Sequence, residues 1–360
     1  MSCLKARLFS ESKAVKVQYV FVLFFILVSM LSVLLVQGNA VFLLEWGSQG
    51  SGEGQFEYPR DVAVDSFGNV YVVENWNHRV QVFNSEGNYL RMWGSEGSGD
   101  GQFSEPHGIV VDSVGNVFVA DYGNHRIQVF DSNGVFLRKW GSEGSGDGQF
   151  EYPWGVTVGS DGNVYVTDLR NSRVQAFDSS GDFLQKWGRY GGGNGEFDEP
   201  RNIAVDSMGN VYVVDNFNHR IQVFDSSGVF LRKWGSEGSG DGQFEHPWGV
   251  AVDSTGYVYV TDTWNHRVQV FNSNGNYLWK WESEGNGNGQ LSLPCGIVVD
   301  SDGNIFIVDH DNHEILKFGI DYEVTDSLPE PDQESTINWL FYGGMVLIVA
   351  ITIAALYMKK

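Results

Sequence analysis

The sequence predicts an all-β fold, a six-bladed β-propeller whose blades are four-stranded antiparallel sheets. Three observations lead there. Prolines stand at positions 59, 106, 153, 200, 247 and 294, one every 47 residues. The residues around them recur with little change, from Trp234-Gly235-Ser236-Glu237-Gly238 before one proline to Val258-Tyr259-Val260 after it. Each period holds several short β-rich runs and no stretch with helical periodicity. A repeat in the forties built of such runs is the pattern of a propeller or solenoid.

Taken in chain order, one period supplies every part of a blade. In the second unit the strand-like runs are 89–93, 108–112, 116–121 and 126–131. They are rich in Val, Ile, Tyr and Phe, which suit a pleated surface. Asp112-Ser113-Val114-Gly115-Asn116 joins the second run to the third. Its glycine supplies a positive φ, and the Asp or Asn side chain closes the turn on its own backbone. Asp131-Ser132-Asn133-Gly134 does the same before the next unit. The outer-strand copies are displaced by one position, with one at 41–46 ahead of the first proline and none after the last unit. Pairing 41–46 with the sixth blade closes the ring and leaves no free edge. Trp93, Trp140, Trp187 and Trp234 recur at one place and are read as blade packing. The domain 41–320 is long enough to bury a large core as one unit.

The two ends carry membrane signals. Lys5, Arg7, Lys13 and Lys16 precede an apolar run at 19–36, and Gly38 and Ala40 offer small residues for cleavage. Residues 1–40 therefore read as a signal peptide or signal anchor, with cleavage favoured because the closing strand follows at once. Residues 339–358 are apolar enough to cross a ~30 Å hydrocarbon core and are read as a transmembrane helix. Lys359 and Lys360 follow as a cytoplasmic tail. Basic outer flanks at both apolar segments place the propeller outside the cell membrane and the C-terminus in the cytoplasm. Between them, 321–338 is an acidic linker containing Pro329 and Pro331. Of the two cysteines, Cys3 lies in the leader and Cys295 is alone in the propeller, so no internal disulfide is expected. No Asn-x-Ser/Thr sequon is present. A net charge of −22 favours solubility and repels polyanions.

After the third run of each unit come Asn77-His78-Arg79, Asn124-His125-Arg126, Asn218-His219-Arg220 and Asn265-His266-Arg267, degraded to Asn171-Ser172-Arg173 and Asn312-His313-Glu314. With the flanking Pro-x-Gly and Val-Asp-Ser-x-Gly-Asn-Val-Tyr-Val patterns, this closely resembles the NHL repeat over 41 to about 318. The resemblance implies a six-bladed propeller; it says less about function, because propellers host unrelated activities. Each motif is preceded by an acid (Glu74, Asp121, Asp168, Asp215, Asp262), so Asn-His-Arg reads as a structural clamp. The clamp should be missing in the last blade, where Asp309 meets Glu314. Some NHL propellers belong to tripartite-motif ubiquitin ligases and some bind RNA. Neither property carries over: two cysteines cannot build a RING, and Glu53, Glu96, Asp100, Glu143, Asp147, Glu237 and Asp241 are expected to ring the mouth with acid, against nucleic acid.

Function is sought where near-identical copies differ on one face. After the prolines stand Arg60, His107, Trp154, Arg201, Trp248 and Cys295; just before the Asn-His-Arg motifs stand Trp76, Phe217 and Trp264 among others. Arginines and aromatic planes around a concave mouth suit an extracellular protein, peptide or saccharide, and Arg60, Trp76, His107, Trp154, Arg201, Phe217, Trp248 and Trp264 are the expected ligand-binding set. The alternative is a metal-dependent hydrolase or lyase, as in the lactone hydrolases and the peptide-amidating lyase of the wider propeller world. Asp61 and Asn202 replace a repeat glycine three blades apart and could face a Ca²⁺ ion. Calcium wants six to eight oxygen ligands and only these two can be named, so neither a cofactor nor catalytic residues are expected.

Overall fold

The computed structural model describes residues 36–282 and 284–324. Six four-stranded sheets are arranged as the repeat requires. In the second blade the inner strand is Ile109–Val111, followed by Val117–Asp121, Arg126–Phe130 and the outer strand Phe136–Trp140. Neighbouring strands pair antiparallel, as in Val119 opposite Ile109 and Gln128. Two short 3₁₀ turns, Tyr122–Asn124 and Thr263–Asn265, are the helical structure among the described residues.

Closure follows the displaced strand count. The last sheet runs from Pro294–Val299 through Ile305–Asp309 and Glu314–Val324 to Val36–Gly47 as its outer strand. Trp46 on that strand lies 5.8 Å from Phe83 of blade 1. Trp93 repeats this geometry on Phe130 at 5.7 Å. The closing strand is longer than 41–46, and its partner runs past residue 320. The segments read as leader (1–40) and linker (321–338) therefore contribute strand at 36–40 and 321–324. The remainder of both segments, the apolar stretches and the 359–360 tail lie outside the described residues. Among the described residues no helix is long and apolar enough to cross a membrane.

The core lies between blades rather than within one sheet. In blades 1 to 5 the second and third strands are buried at every position, because each blade is covered on both faces, whereas outer strands such as Phe136–Trp140 alternate. Tyr71, Val80 and Val82 of blade 1 meet Phe103, Ile109, Val117 and Phe130 of blade 2 in one such layer. Phe and Tyr supply most of the large buried side chains there, and their area dominates the apolar contribution. The turn glycines serve this packing as well as their turns. Gly134 has φ 84°, and a Cβ on it would meet the Trp93 ring at 2.6 Å.

The Asn-His-Arg motif divides two structural tasks. Arg126 donates to Asp121 at 2.7 Å and to the carbonyls of Ser98, Gly99 and Gln102 at 2.7–2.9 Å. Asn124 donates to Gly97 O at 2.8 Å, so arginine and asparagine together tie the glycine-rich loop to the third strand. Five blades hold this acid–arginine pair at 2.6–2.8 Å, and the sixth lacks it. The histidine acts elsewhere. Its Nδ1 accepts the backbone N–H of the residue before the next blade's proline, as His78 does from Glu105 (3.0 Å) and His313 from Tyr58 (3.2 Å). That N–H belongs to a residue in the left-handed region, φ 49° at both Tyr58 and Glu105. The histidine thus pins an unfavourable backbone and joins consecutive blades.

Candidate functional site

The residue after each repeat proline lies at or just ahead of the start of an inner strand, so six side chains from six blades meet near the axis. Four of them stack. Arg201 lies over Trp154 at 4.7 Å and over Trp248 at 4.3 Å, and Arg60 covers Trp248 at 5.3 Å. The two indoles meet edge to face at 6.0 Å and 80°. His107 packs 4.0 Å from Trp154, and His310 lies 5.8 Å from Trp248. The sixth position, Cys295, is buried and directs its thiol at Pro59 O (3.6 Å); burial pushes the thiol pKa up, so it stays protonated.

The expected concave mouth is therefore a plug. Only about 10 Å³ is left between Arg60, Trp154, Trp248 and Asp61, too little for a ligand without movement. Trp154 and Trp248 are half-buried, and the Arg201 side chain is 12% exposed. Each guanidinium pays for its desolvation only in part, since cation–π contacts stand where carboxylates would be stronger. Arg201 has one acid nearby, Glu199 at 3.7 Å, which also pairs with Arg170 at 3.2 Å. Burial lowers the pKa of Arg60, and that of Arg201 to about 10, so both stay charged at neutral pH. His107 is pushed well below its ordinary value by burial and by both arginines, and His310 to about 4 by burial and Arg60. Both imidazoles are neutral.

Beneath the plug, Asp61 and Asn202 reach across the axis and bond at 3.3 Å. Asp61 also accepts from the backbone of Val62 (3.0 Å) and Ile109 (3.2 Å), and burial lifts its pKa to about 7. Donor N–H groups thus occupy the carboxyl that was the candidate calcium ligand, and a cation there would face three of them. Among the described residues no group of three or more His, Cys, Asp or Glu is placed to hold a metal ion. Below lies a channel of about 190 Å³ walled by the inner strands of all six blades.

Farther from the axis the face is aromatic. Trp76 is 61% exposed and packs on Tyr58 at 4.8 Å, which continues to His310 at 5.0 Å and so to the central stack. Tyr122 stacks on Tyr152 at 4.6 Å and on His107 at 4.3 Å. Phe217 and Trp264 are 46% and 56% exposed and flank His246 at 5.0 and 4.7 Å. The structure thus joins Arg60, His107, Trp154, Arg201, Trp248 and Trp76 in one continuous group and sets Phe217 and Trp264 in a second. Sequence reasoning missed Tyr58, Tyr152 and His246. Their signal was available: the residue before the proline alternates between these rings in blades 1, 3 and 5 and Glu105, Glu199 and Leu293 in blades 2, 4 and 6.

Contrary to the expectation from sequence, the acidic loops do not ring this mouth. Their arginine clamps hold them over the third strands, and Asp100 and Asp147 pair with Lys139 and Lys186 of outer strands at 2.6 Å. They form an outer acidic rim, and the centre is cationic.

The chain matches the NHL repeat family at residues 56–83, 103–130, 150–177, 197–224, 244–271 and 291–318. A 48-residue stretch is 42% identical to Protein lin-41 of Caenorhabditis elegans; it covers 13% of this chain and 4% of that protein. Among solved structures, a Bacteroides thetaiotaomicron protein of unknown function has a TM-score of 0.62 at 16% identity, over 79% of this chain and 76% of that one. A streptogramin B lyase has a TM-score of 0.56 at 14% identity, over 80% and 99%. A gluconolactonase from Xanthomonas campestris has 0.55 at 16% identity, over 79% and 98%. At such identities the likeness is one of fold.

Proposed function

The chain belongs to the NHL-repeat propellers, and from that premise we propose that it is an interaction module that engages a protein, peptide or saccharide through its arginine–aromatic face. One observation carries the reading. Trp76, Phe217 and Trp264 stand exposed on a framework that is otherwise nearly identical from blade to blade. Large aromatic side chains held in water by a rigid scaffold are what binding hot spots are made of. A hydrolytic role draws less support, because Asp61 and Asn202 spend their polar atoms on each other and on backbone amides.

The setting we propose is the outer face of a cell membrane. The part of 1–40 ahead of the closing strand acts as signal or anchor, 339–358 span the bilayer, and the part of 321–338 beyond the last strand forms an acidic stalk. Protease added to intact cells should then release the propeller and leave a membrane-bound fragment ending in Lys359-Lys360. Protection until lysis would reverse the orientation.

The binding face is tested with the W76A/W264A variant. Capture of surface proteins, glycans or peptides on arrays should fall by about 2 kcal/mol per hot-spot ring while the melting temperature holds. Unchanged capture would move the site to another face. Trp154→Ala or Trp248→Ala is a poorer probe, since each opens a cavity under a buried guanidinium and should lower stability as well.

A further inference from the structure

The centre of this face has more hydrogen-bond donors than the protein uses. Nε of Arg60, Nε and Nη1 of Arg201, and Nε1 of Trp248 are buried without a partner. His107 is 5% exposed; Asn75 donates to its Nε2 at 3.2 Å, which places the ring proton on Nδ1, also buried and unpartnered. These atoms come from blades 1, 2, 4 and 5, yet they gather at one place: Arg60, His107 and Trp248 line one spot with Trp154, and Arg201 stacks over both indoles beside it. Among the described residues every buried side-chain polar atom left without a partner is a nitrogen. Leaving several donors dry is costly, so such a cluster marks a place where an acceptor belongs.

We propose that the plug is a receptor for one carboxylate of a bound peptide, taken between the Arg60 and Arg201 guanidiniums against the walls of Trp154 and Trp248. This rests on the interaction reading above and specifies its chemistry. Charge selects the group. The two buried guanidiniums have one half-buried acid near them, Glu199 at 3.7 Å from Arg201, and Arg60 has no carboxylate partner among the described residues. Glu105, Asp311 and Arg170 stand in water at the rim and are screened. With Asp61 beneath the spot protonated, about one positive charge is left for a ligand, and less once it ionises near pH 7, which suits a monoanion rather than a phosphate dianion. Shape agrees: the guanidinium fork matches a planar carboxylate, and the slot between two indoles is narrow. His310 adds the complementary group. Its Nδ1 faces the Asp311 carboxylate at 2.8 Å and donates to it, which leaves Nε2 buried as an unpartnered acceptor for a peptide N–H. Because space is only about 10 Å³, binding must displace a guanidinium from Trp248, and indole fluorescence should report it.

The experiment titrates the full-length protein with acetyl-Tyr-Glu-Tyr-amide, acetyl-Tyr-Gln-Tyr-amide and acetyl-Tyr-Gln-Tyr with a free carboxyl terminus, by calorimetry and tryptophan fluorescence. The glutamate peptide is expected to bind at least tenfold more tightly than its glutamine twin. Tight binding of the free-terminus peptide instead would identify a chain end as the source of the carboxylate. Either preference should vanish in the R60Q/R201Q variant, with folding checked by its melting curve. Should that variant not fold, R60Q alone should still reduce the preference severalfold. Equal binding of the two amidated peptides with no gain from a free terminus, or a preference that survives loss of the arginines, overturns the carboxylate site and leaves the aromatic face intact. Binding of none of the three also overturns it, and the W76A/W264A captures judge the wider reading separately.

Discussion

In blade 2 the fully buried Asp121 faces Arg126 at 2.7 Å, and Gln128 donates to the same carboxylate at 3.0 Å while accepting from Gly101 N at 3.0 Å. In blade 6 the matching acid, Asp309, faces Glu314, and Leu316 stands where the glutamine was. Asp309 keeps Ser292 N (2.8 Å) and Asn312 (3.0 Å) as donors. Glu45, on the closing strand, takes over the glutamine's acceptor role toward Gly289 N at 3.2 Å. One cation and one amide have thus given way to an acid and to hydrocarbon at one place in the fold. Burial, with Asp311 nearby, lifts the Asp309 pKa to about 7; burial, Glu45 and Asp309 do the same to Glu314. A buried carboxylate needs a counter-charge or a proton, and blade 6 uses the proton. The comparison shows that the backbone of a blade tolerates loss of the clamp when the charge it compensated can be neutralised another way.

The largest expected effect comes from giving blade 2 the defect of blade 6 without its remedy. Arg126→Ala strands the Asp121 carboxylate and the carbonyls of Ser98, Gly99 and Gln102, and should cost about 3–5 kcal/mol by denaturant unfolding. Glu314→Ala in blade 6 should change stability by less than about 1 kcal/mol, in the stabilising direction, since it relieves like-charge crowding. Equal losses for the two variants would erase the contrast.

The reverse graft is expected to be smaller. E314R/L316Q sets a guanidinium and an amide opposite Asp309 and should add about 1–2 kcal/mol at pH 8, seen as a rise of a few degrees in melting temperature. No gain would mean that the blade 6 loop has lost the geometry that receives the arginine.

The pH dependence is the finest test. Asp309 and Glu314 have folded-state pKa values near 7, against about 4 for carboxyls in an unfolded chain. Protons are therefore held more tightly by the folded protein. That contribution is complete below about pH 4 and is lost as pH rises through 7. Raising pH from 5 to 8 should destabilise the natural chain by about 1 kcal/mol more than E314R/L316Q, after discounting for the partial exposure of Glu314. Asp61 titrates in the same range but is common to both proteins and cancels. A parallel pair of stability curves would remove the protonated acids from the account.

Much of this molecule is written locally and six times over. Blade number, strand positions, turns and the acid–arginine clamps are each set by residues a few positions apart, so the 47-residue period displays them without a structure. The loss of the last clamp could be read from Glu314, and the closing strand from a count of copies, because both are departures from a visible pattern. The candidate site obeys no such local rule. Arg60, Trp154, Arg201 and Trp248 are far apart in sequence and touch because ring closure brings opposite blades to one axis. Sequence could name them as variable, but only packing could turn an expected open mouth into a stack of two guanidiniums and two indoles. The same holds for Asp61 and Asn202, whose contact across the axis sets the Asn202 amide N–H against an Asp61 oxygen proposed for calcium, and for the acidic loops, drawn outward by arginines that sequence placed only at a turn. Repetition determines what each blade is; the closed ring decides which side chains of different blades share the small space at its centre, and therefore what they are free to bind.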